Sequence, residues 1–199
     1  MEISKEILQK TALVGSEKTA ESMKNLTGTE INVSVSGAEA LTFESLVERI
    51  LSRDDEFLVY TPIYSKSDIS GLAVLTIAKD DMIVLADMLK HQEIGMTKTV
   101  DEIDESAIKE TLNILANSYL NALSAIVGTE IHINAPKSIE RDDLKDLLNE
   151  ASKASALENE KASTIFETMM EYLRQQTRVQ LYLLFNKHLA QVALAREAL

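Results

Sequence analysis

Four polar residues on one stretch of the chain have types and spacing that could do chemistry. Ser106, Glu110, Asn113 and Asn117 follow one another at intervals of four, three and four. On a helix turning 100° per residue, these intervals put them in one narrow stripe. The stripe offers one carboxylate, which can pair with a cation, and two carboxamides, which can both donate and accept hydrogen bonds. Periodicity alone allows a bland reading, because Glu and Asn on an outer helix face are usually just solvated. Asn is also a mediocre helix former, since its amide competes for backbone hydrogen bonds.

The element that must carry the stripe is a long helix from about Asp104 to Val127, ending at Gly128. Ile108, Leu112, Leu115, Tyr119, Ala122 and Ile126 lie on its other side as a core stripe. Ala116 and Leu120 flank the polar stripe and read as a modest docking surface beside it. Residues 92–103 read as a loop. Their acidic end, Asp101-Glu-Ile-Asp-Glu105, suits a helix N-terminus.

The rest of the chain repeats this plan. Gly28-Thr-Glu-Ile31 recurs as Gly128-Thr-Glu-Ile131, an offset of 100. At that offset Leu8 matches Ile108, Val14 matches Ile114, Met23 matches Leu123, Leu26 matches Ile126 and Val33 matches Ile133. Residues 3–27 read as the first long helix, Glu30–Val35 as a strand, and Leu41–Leu51 as a strand turning into a short helix. Glu56–Tyr64 and Ser70–Ala78 read as an antiparallel pair, followed by a helix from Asp80 to about His91. In the second half, Glu130–Asn134 reads as a strand stopped by Pro136, and Arg141–Ser155 as a helix. Thr164–Tyr172 and Arg178–Phe185 read as strands, and His188–Leu199 as a helix. The expectation is a single α+β domain over residues 1–199, built from pseudo-repeats of about 1–100 and 101–199. Long helices pack on an antiparallel sheet with pseudo-two-fold symmetry.

Composition narrows the function classes. The 199 residues contain 20 Lys plus Arg against 32 Asp plus Glu, a net charge of −12, which disfavours nucleic acid. Cys is absent and only three His occur, so thiolate chemistry and a Cys- or His-rich metal site are unsupported. No Gly-rich phosphate loop or nucleophile–base motif appears. No apolar run reaches membrane-spanning length, and the acidic start lacks a signal peptide's basic and apolar segments, so a cytoplasmic protein is expected. His132 alternates with Ile131 and Ile133 and reads as outward-facing. Ile77, Met82, Leu85 and Met88 read as core. The apolar segments Thr164–Leu173 and Val179–Phe185 could lie at a partner surface, leaving monomer or homodimer open.

Ser106-Ala-Ile-Lys-Glu110-Thr-Leu-Asn113, followed 23 positions later by Pro136, resembles the signature of the CheC/CheX/FliY phosphatases. That signature is Asp or Ser, three residues, Glu, two residues, Asn, 22 residues and Pro. The text from Asn113 to Leu123 is also similar, and the duplicated layout extends the resemblance over nearly the whole chain. The resemblance implies hydrolysis of the phosphoaspartate on a CheY-type response regulator. Asn113 would orient the attacking water and Glu110 would pair with a regulator lysine. Ser106, Ala116, Asn117 and Leu120 would contact the regulator, and Pro136 would shape the loop beside the helix. Mg²⁺ would come with the regulator, so the chain itself would bind no cofactor.

In the first half, Glu6, Lys10, Leu13 and Ser36 stand where Ser106, Glu110, Asn113 and Pro136 do, so one working site is expected. The branch looks most like CheC, with CheX, which is shorter and commonly dimerises, and a truncated FliY, which would lack that protein's further flagellar-switch domain, as the other options. In CheC the helix after the second motif binds the CheD deamidase. Arg141–Ser155 occupies that place as an ordinary amphipathic helix, which makes CheD a second candidate partner. The alternative function is a non-catalytic adaptor for phospho-CheY, CheD or the flagellar switch.

Overall fold

Two glycines end the two long helices in the same way. The computed structural model describes residues 4–53, 56–66, 69–155, 163–172 and 175–186. Helix α1 (Lys5–Thr27) stops at Gly28 with φ 68°, and α4 (Glu102–Val127) stops at Gly128 with φ 67°. Each glycine N–H donates at 2.8 Å to the carbonyl four residues back, Lys24 and Ser124 respectively. This left-handed cap strains any residue with a Cβ, which explains why both helices end on glycine.

The remaining elements are β1 (Asn32–Leu41), α2 (Phe43–Leu51), β2 (Glu56–Tyr64), β3 (Ser70–Ala78), α3 (Lys79–Leu89), β4 (His132–Ile133), β5 (Lys137–Ser138), α5 (Arg141–Ser155), β6 (Ser163–Tyr172) and β7 (Gln175–Phe185). The expected antiparallel pair is β2 and β3, in register from Glu56↔Ala78 to Tyr64↔Ser70. Strand β1 continues to Leu41, well past the expected end at Val35. Thr42 then caps α2, its hydroxyl accepting from the Ser45 N–H, so the expected turn from strand into short helix falls at Thr42, with the strand ending at Leu41 and the helix running from Phe43. The expected strand at Glu130–Asn134 shrinks to two residues. The expected helix at His188–Leu199 lies outside the described residues.

One sheet joins both halves, in the order β1-β6-β7-β3-β2-β4, with β5 also on β2. Exchanging the halves turns β1 into β4, β2 into β6 and β3 into β7, and the order then reads the same backwards. Each half lends its edge strand to the other half's hairpin. Both edges also slip by one residue at matching places. The β1–β6 register shifts between Val35 and Gly37. Along β2, the partner of Ile63 is Ile133 but that of Val59 is Ser138, so one extra residue is accommodated at 134–136. Pro136 therefore sits in a β-bulge of an edge strand, where a missing N–H costs least. Thr61 secures the bulge by donating its hydroxyl to the Asn134 carbonyl at 2.8 Å.

Helices cover both sheet faces. On one side, Leu75, Ile77, Phe166 and Leu181 pack with residues of α1, α3 and α4. On the other, Leu58, Leu72, Val74 and Leu184 pack with Leu46 and Ile50 of α2 and Leu144 and Leu148 of α5. A central strand buried on both faces cannot alternate polar and apolar residues, and Leu72–Ile77 of β3 are all buried. Val179–Phe185 are buried for the same reason, which corrects the expectation of a partner surface there. Ile77, Met82, Leu85 and Met88 are core as expected, and His132 faces outward. No helix among the described residues is long and apolar enough to cross a membrane.

Candidate functional site

The start of α4 is held by a buried polar network. Asp101 caps the helix, its carboxylate accepting from the Ile103 and Asp104 N–H groups at 2.9 Å each. The Asp104 carboxylate, 3% exposed, takes an ion pair from Lys90 at 2.7 Å. That hydrogen bond holds the Lys90 ammonium above its ordinary range. Lys90 also reaches the Thr97 hydroxyl at 3.3 Å, tying the preceding loop to the helix.

Asp87, fully buried at the end of α3, organises that loop. Its carboxylate accepts from the Gly95 N–H at 2.5 Å, the Thr97 N–H at 2.8 Å and the Gln92 amide at 2.6 Å. Burial pushes the carboxyl up, but the Thr97 hydroxyl, Gln92 and the two backbone donors outweigh it and hold it at about 2. Asp87→Asn should therefore cost about 2 kcal/mol at neutral pH, because it strands buried donors. A depressed carboxyl stabilises the fold above its unfolded pKa. The wild type should lose this contribution as pH falls from about 4 towards 2, and the variant should have none to lose. Urea midpoints of both chains at pH 7 and pH 3 measure this difference.

On this platform the outward arc of α4 carries the predicted residues in phase. Ser106 and Glu110 are exposed, and Asn113 and Asn117 are half-buried. Among the described residues nothing pairs with the Glu110 carboxylate, leaving it available to a cation. Ser106 turns its hydroxyl back to the Glu102 carbonyl at 2.8 Å. The Asn117 amide nitrogen lies 3.0 Å from both the backbone oxygen and the side-chain Oδ1 of Asn113.

Two expected contacts are corrected. Ala116 and Leu120 are 0% and 1% exposed and belong to the core, so they cannot form a docking surface. The core stripe predicted for one amphipathic helix is too narrow here. The sheet lies under α4 and α1 packs alongside it, with Gly15 of α1 set against the Tyr119 ring. The buried arc therefore extends to the edge of Asn113. Pro136 lies in the edge bulge described above.

The apolar surface that does exist was missed. Ile103 is 78% exposed, and it lies three residues before Ser106 and seven before Glu110, at the stripe's N-terminal end. The expected helix begins at Asp104, two residues later than the observed start at Glu102, which leaves Ile103 out of the helical phase. In the other half, Lys10 and Leu13 are also exposed, Leu13 by 61%, so the first helix offers a cation and an apolar side chain where α4 offers Glu110 and Asn113. A cleft of about 580 Å³ between β2 and the start of α5, lined by Tyr60, Lys79 and Asp143 among others, includes none of the stripe's residues. The candidate site is a helix face, set apart from that cleft.

No protein-family model matches the sequence. Solved structures share its fold. FliY from Thermotoga maritima matches with a TM-score of 0.67 at 19% identity, over 98% of this chain and 100% of that one. The FliM middle domain from H. pylori matches with a TM-score of 0.60 at 12% identity, over 98% and 99%. CheX from Borrelia burgdorferi, solved as a CheX–CheY–BeF3–Mg²⁺ complex, matches with a TM-score of 0.50 at 14% identity, over 88% and 97%. With its exchanged edge strands and its paired long helices, the second carrying Glu110 and Asn113 ahead of Pro136 in the edge bulge, the chain has the fold of the CheC/CheX/FliY proteins.

Proposed function

We propose that this protein hydrolyses the phosphoaspartate of a CheY-type response regulator docked on the outer face of α4. The observation that carries the reading is the outward placement of Glu110 and Asn113 one turn apart on a rigidly capped helix. An acyl phosphate leaves as a carboxylate, so the reaction needs no strong base. It needs a water held in line with the breaking P–O bond and stabilisation of charge in a loose transition state. The Asn113 carboxamide reaches into the regulator's site and holds that water. The water oxygen bonds to phosphorus, the bond to the aspartate oxygen breaks, and the displaced aspartate keeps the electron pair while both water protons leave with the phosphate as dihydrogen phosphate. Glu110 pairs with a regulator lysine and sets the docking register. The Mg²⁺ that neutralises phosphoryl oxygens belongs to the regulator. A complex of CheX with CheY, BeF3 and Mg²⁺ in a neighbouring fold supports this assignment.

The test is the decay of phosphorylated CheY-type regulator with substoichiometric amounts of this protein. Faster decay, with many turnovers per molecule, is expected. Binding without turnover would instead favour an adaptor, a reading supported by the H. pylori FliM–FliG complex among the fold neighbours. Ile103 provides a separate check on docking. Ile103→Ser should raise KM about fivefold, as loss of an apolar interface anchor does, and leave kcat and the urea midpoint unchanged. Steady-state kinetics against regulator concentration would read this split.

A further inference from the structure

We infer that Asn117 is a positioning residue for the Asn113 carboxamide rather than a contact for the partner. The inference rests on the phosphatase reading for its catalytic consequence and on α4 geometry for its structural one. The Asn117 nitrogen lies 3.0 Å from the Asn113 backbone oxygen, which can only accept. That contact fixes which end of the Asn117 amide faces Asn113: the nitrogen. The same nitrogen lies 3.0 Å from the Asn113 side chain, so the end of that side chain facing it must be an acceptor, Oδ1. Turning the Asn113 amide over would set two N–H₂ groups against each other. The helix backbone thus dictates the orientation of Asn117, and Asn117 dictates that of Asn113.

The consequence is chemical. Asn113 is held with Oδ1 polarised by one donor and one lone pair still open, while its own N–H₂ has no partner among the described residues. A water could donate to the open lone pair or accept from the N–H₂. Both residues are half-buried, so bulk water competes weakly for the clasp. A side chain oriented before the partner arrives loses less freedom in reaching a reactive geometry. Exposed asparagine on a helix would otherwise sample several rotamers.

Three variants and two readouts test this. Asn117→Asp keeps the shape but replaces the donor by an acceptor, which repels Oδ1 and favours the inverted amide. Asn117→Ala removes the clasp, and Asn117→Gln keeps a donor within reach. With phosphorylated CheY-type regulator as substrate, kcat should fall about tenfold in Asn117→Asp and Asn117→Ala, with KM within twofold of wild type. Asn117→Gln should recover most of kcat. Unchanged kcat in both, or a rise in KM alone, would overturn the inference and return Asn117 to the docking surface. The second readout needs no activity. The side-chain amide of Asn113 should be ordered in the heteronuclear NOE of the wild-type protein and mobile in Asn117→Ala. Equal order in both would overturn the clasp. If the wild type does not turn over, the phosphatase reading fails, and the NOE comparison alone upholds or overturns the clasp.

Discussion

Asn113→Ala should slow regulator dephosphorylation about 100-fold while leaving regulator binding and protein stability nearly unchanged. The magnitude follows from what the residue is asked to do. A group that holds water in line supplies orientation, and misplacing a reactant by about 1 Å can cost a factor of 100. The loss should appear in kcat, because the water is engaged only once the complex has formed. Stability should hold, because the site is half-buried on a helix where alanine has the higher propensity. Glu110→Ala should behave differently, raising KM through loss of an ion pair formed on docking. Assaying the two variants over a range of regulator concentrations separates the roles. Full turnover by Asn113→Ala would place the chemistry elsewhere on the surface.

Gly71→Ala should lower stability by about 3 kcal/mol, the upper range for forcing an atom into a packed interior. Gly71 lies in β3 opposite Phe185 of β7. A Cβ there would overlap the carbonyl of Leu184, a backbone group with no rotamer to change. The neighbouring pairing is fixed by the Asn186 N–H donating to the Ser70 carbonyl at 2.9 Å. Relief therefore requires β3 and β7 to separate, and these are the strands along which the two halves of the sheet meet. A close approach of backbones is one of the few reasons a central strand needs glycine. For a protein of this size the loss corresponds to roughly 10 °C in Tm, readable by calorimetry. A wild-type Tm in Gly71→Ala would mean that the two strands lie farther apart than the structure has them.

Much of the local structure was legible because local rules governed it. Gly28 and Gly128 ended their helices because only a residue without a Cβ takes the left-handed cap freely. The β2–β3 pairing and the start of α5 at Arg141 fall where the sequence puts them, since β-branched runs and helical periodicity are properties of short windows. Phase on α4 placed Glu110 and Asn113 outward, because a helix without Pro or Gly keeps its rotation over many turns.

What misled the reading was in each case a neighbour from elsewhere in the chain. Ala116 and Leu120 were assigned to the surface, and they are buried because α1 lies beside α4. Val179–Phe185 looked exposed as an apolar run, and a strand covered on both faces needs such a run. Strand β1 outran its alternating stretch because β6, distant in sequence, pairs with its whole length.

The amino-acid sequence alone sufficed for the repeat, the helix that bears the motif, and the side of that helix on which the reactive residue types fall. Their information lies in adjacent residues and in a constant helical rotation. Tertiary structure decided the exchange of edge strands between the halves and the width of α4's buried face. Each of these depends on which distant segments come into contact, and hydrophobic burial, being non-directional, does not write that choice into any single stretch of sequence.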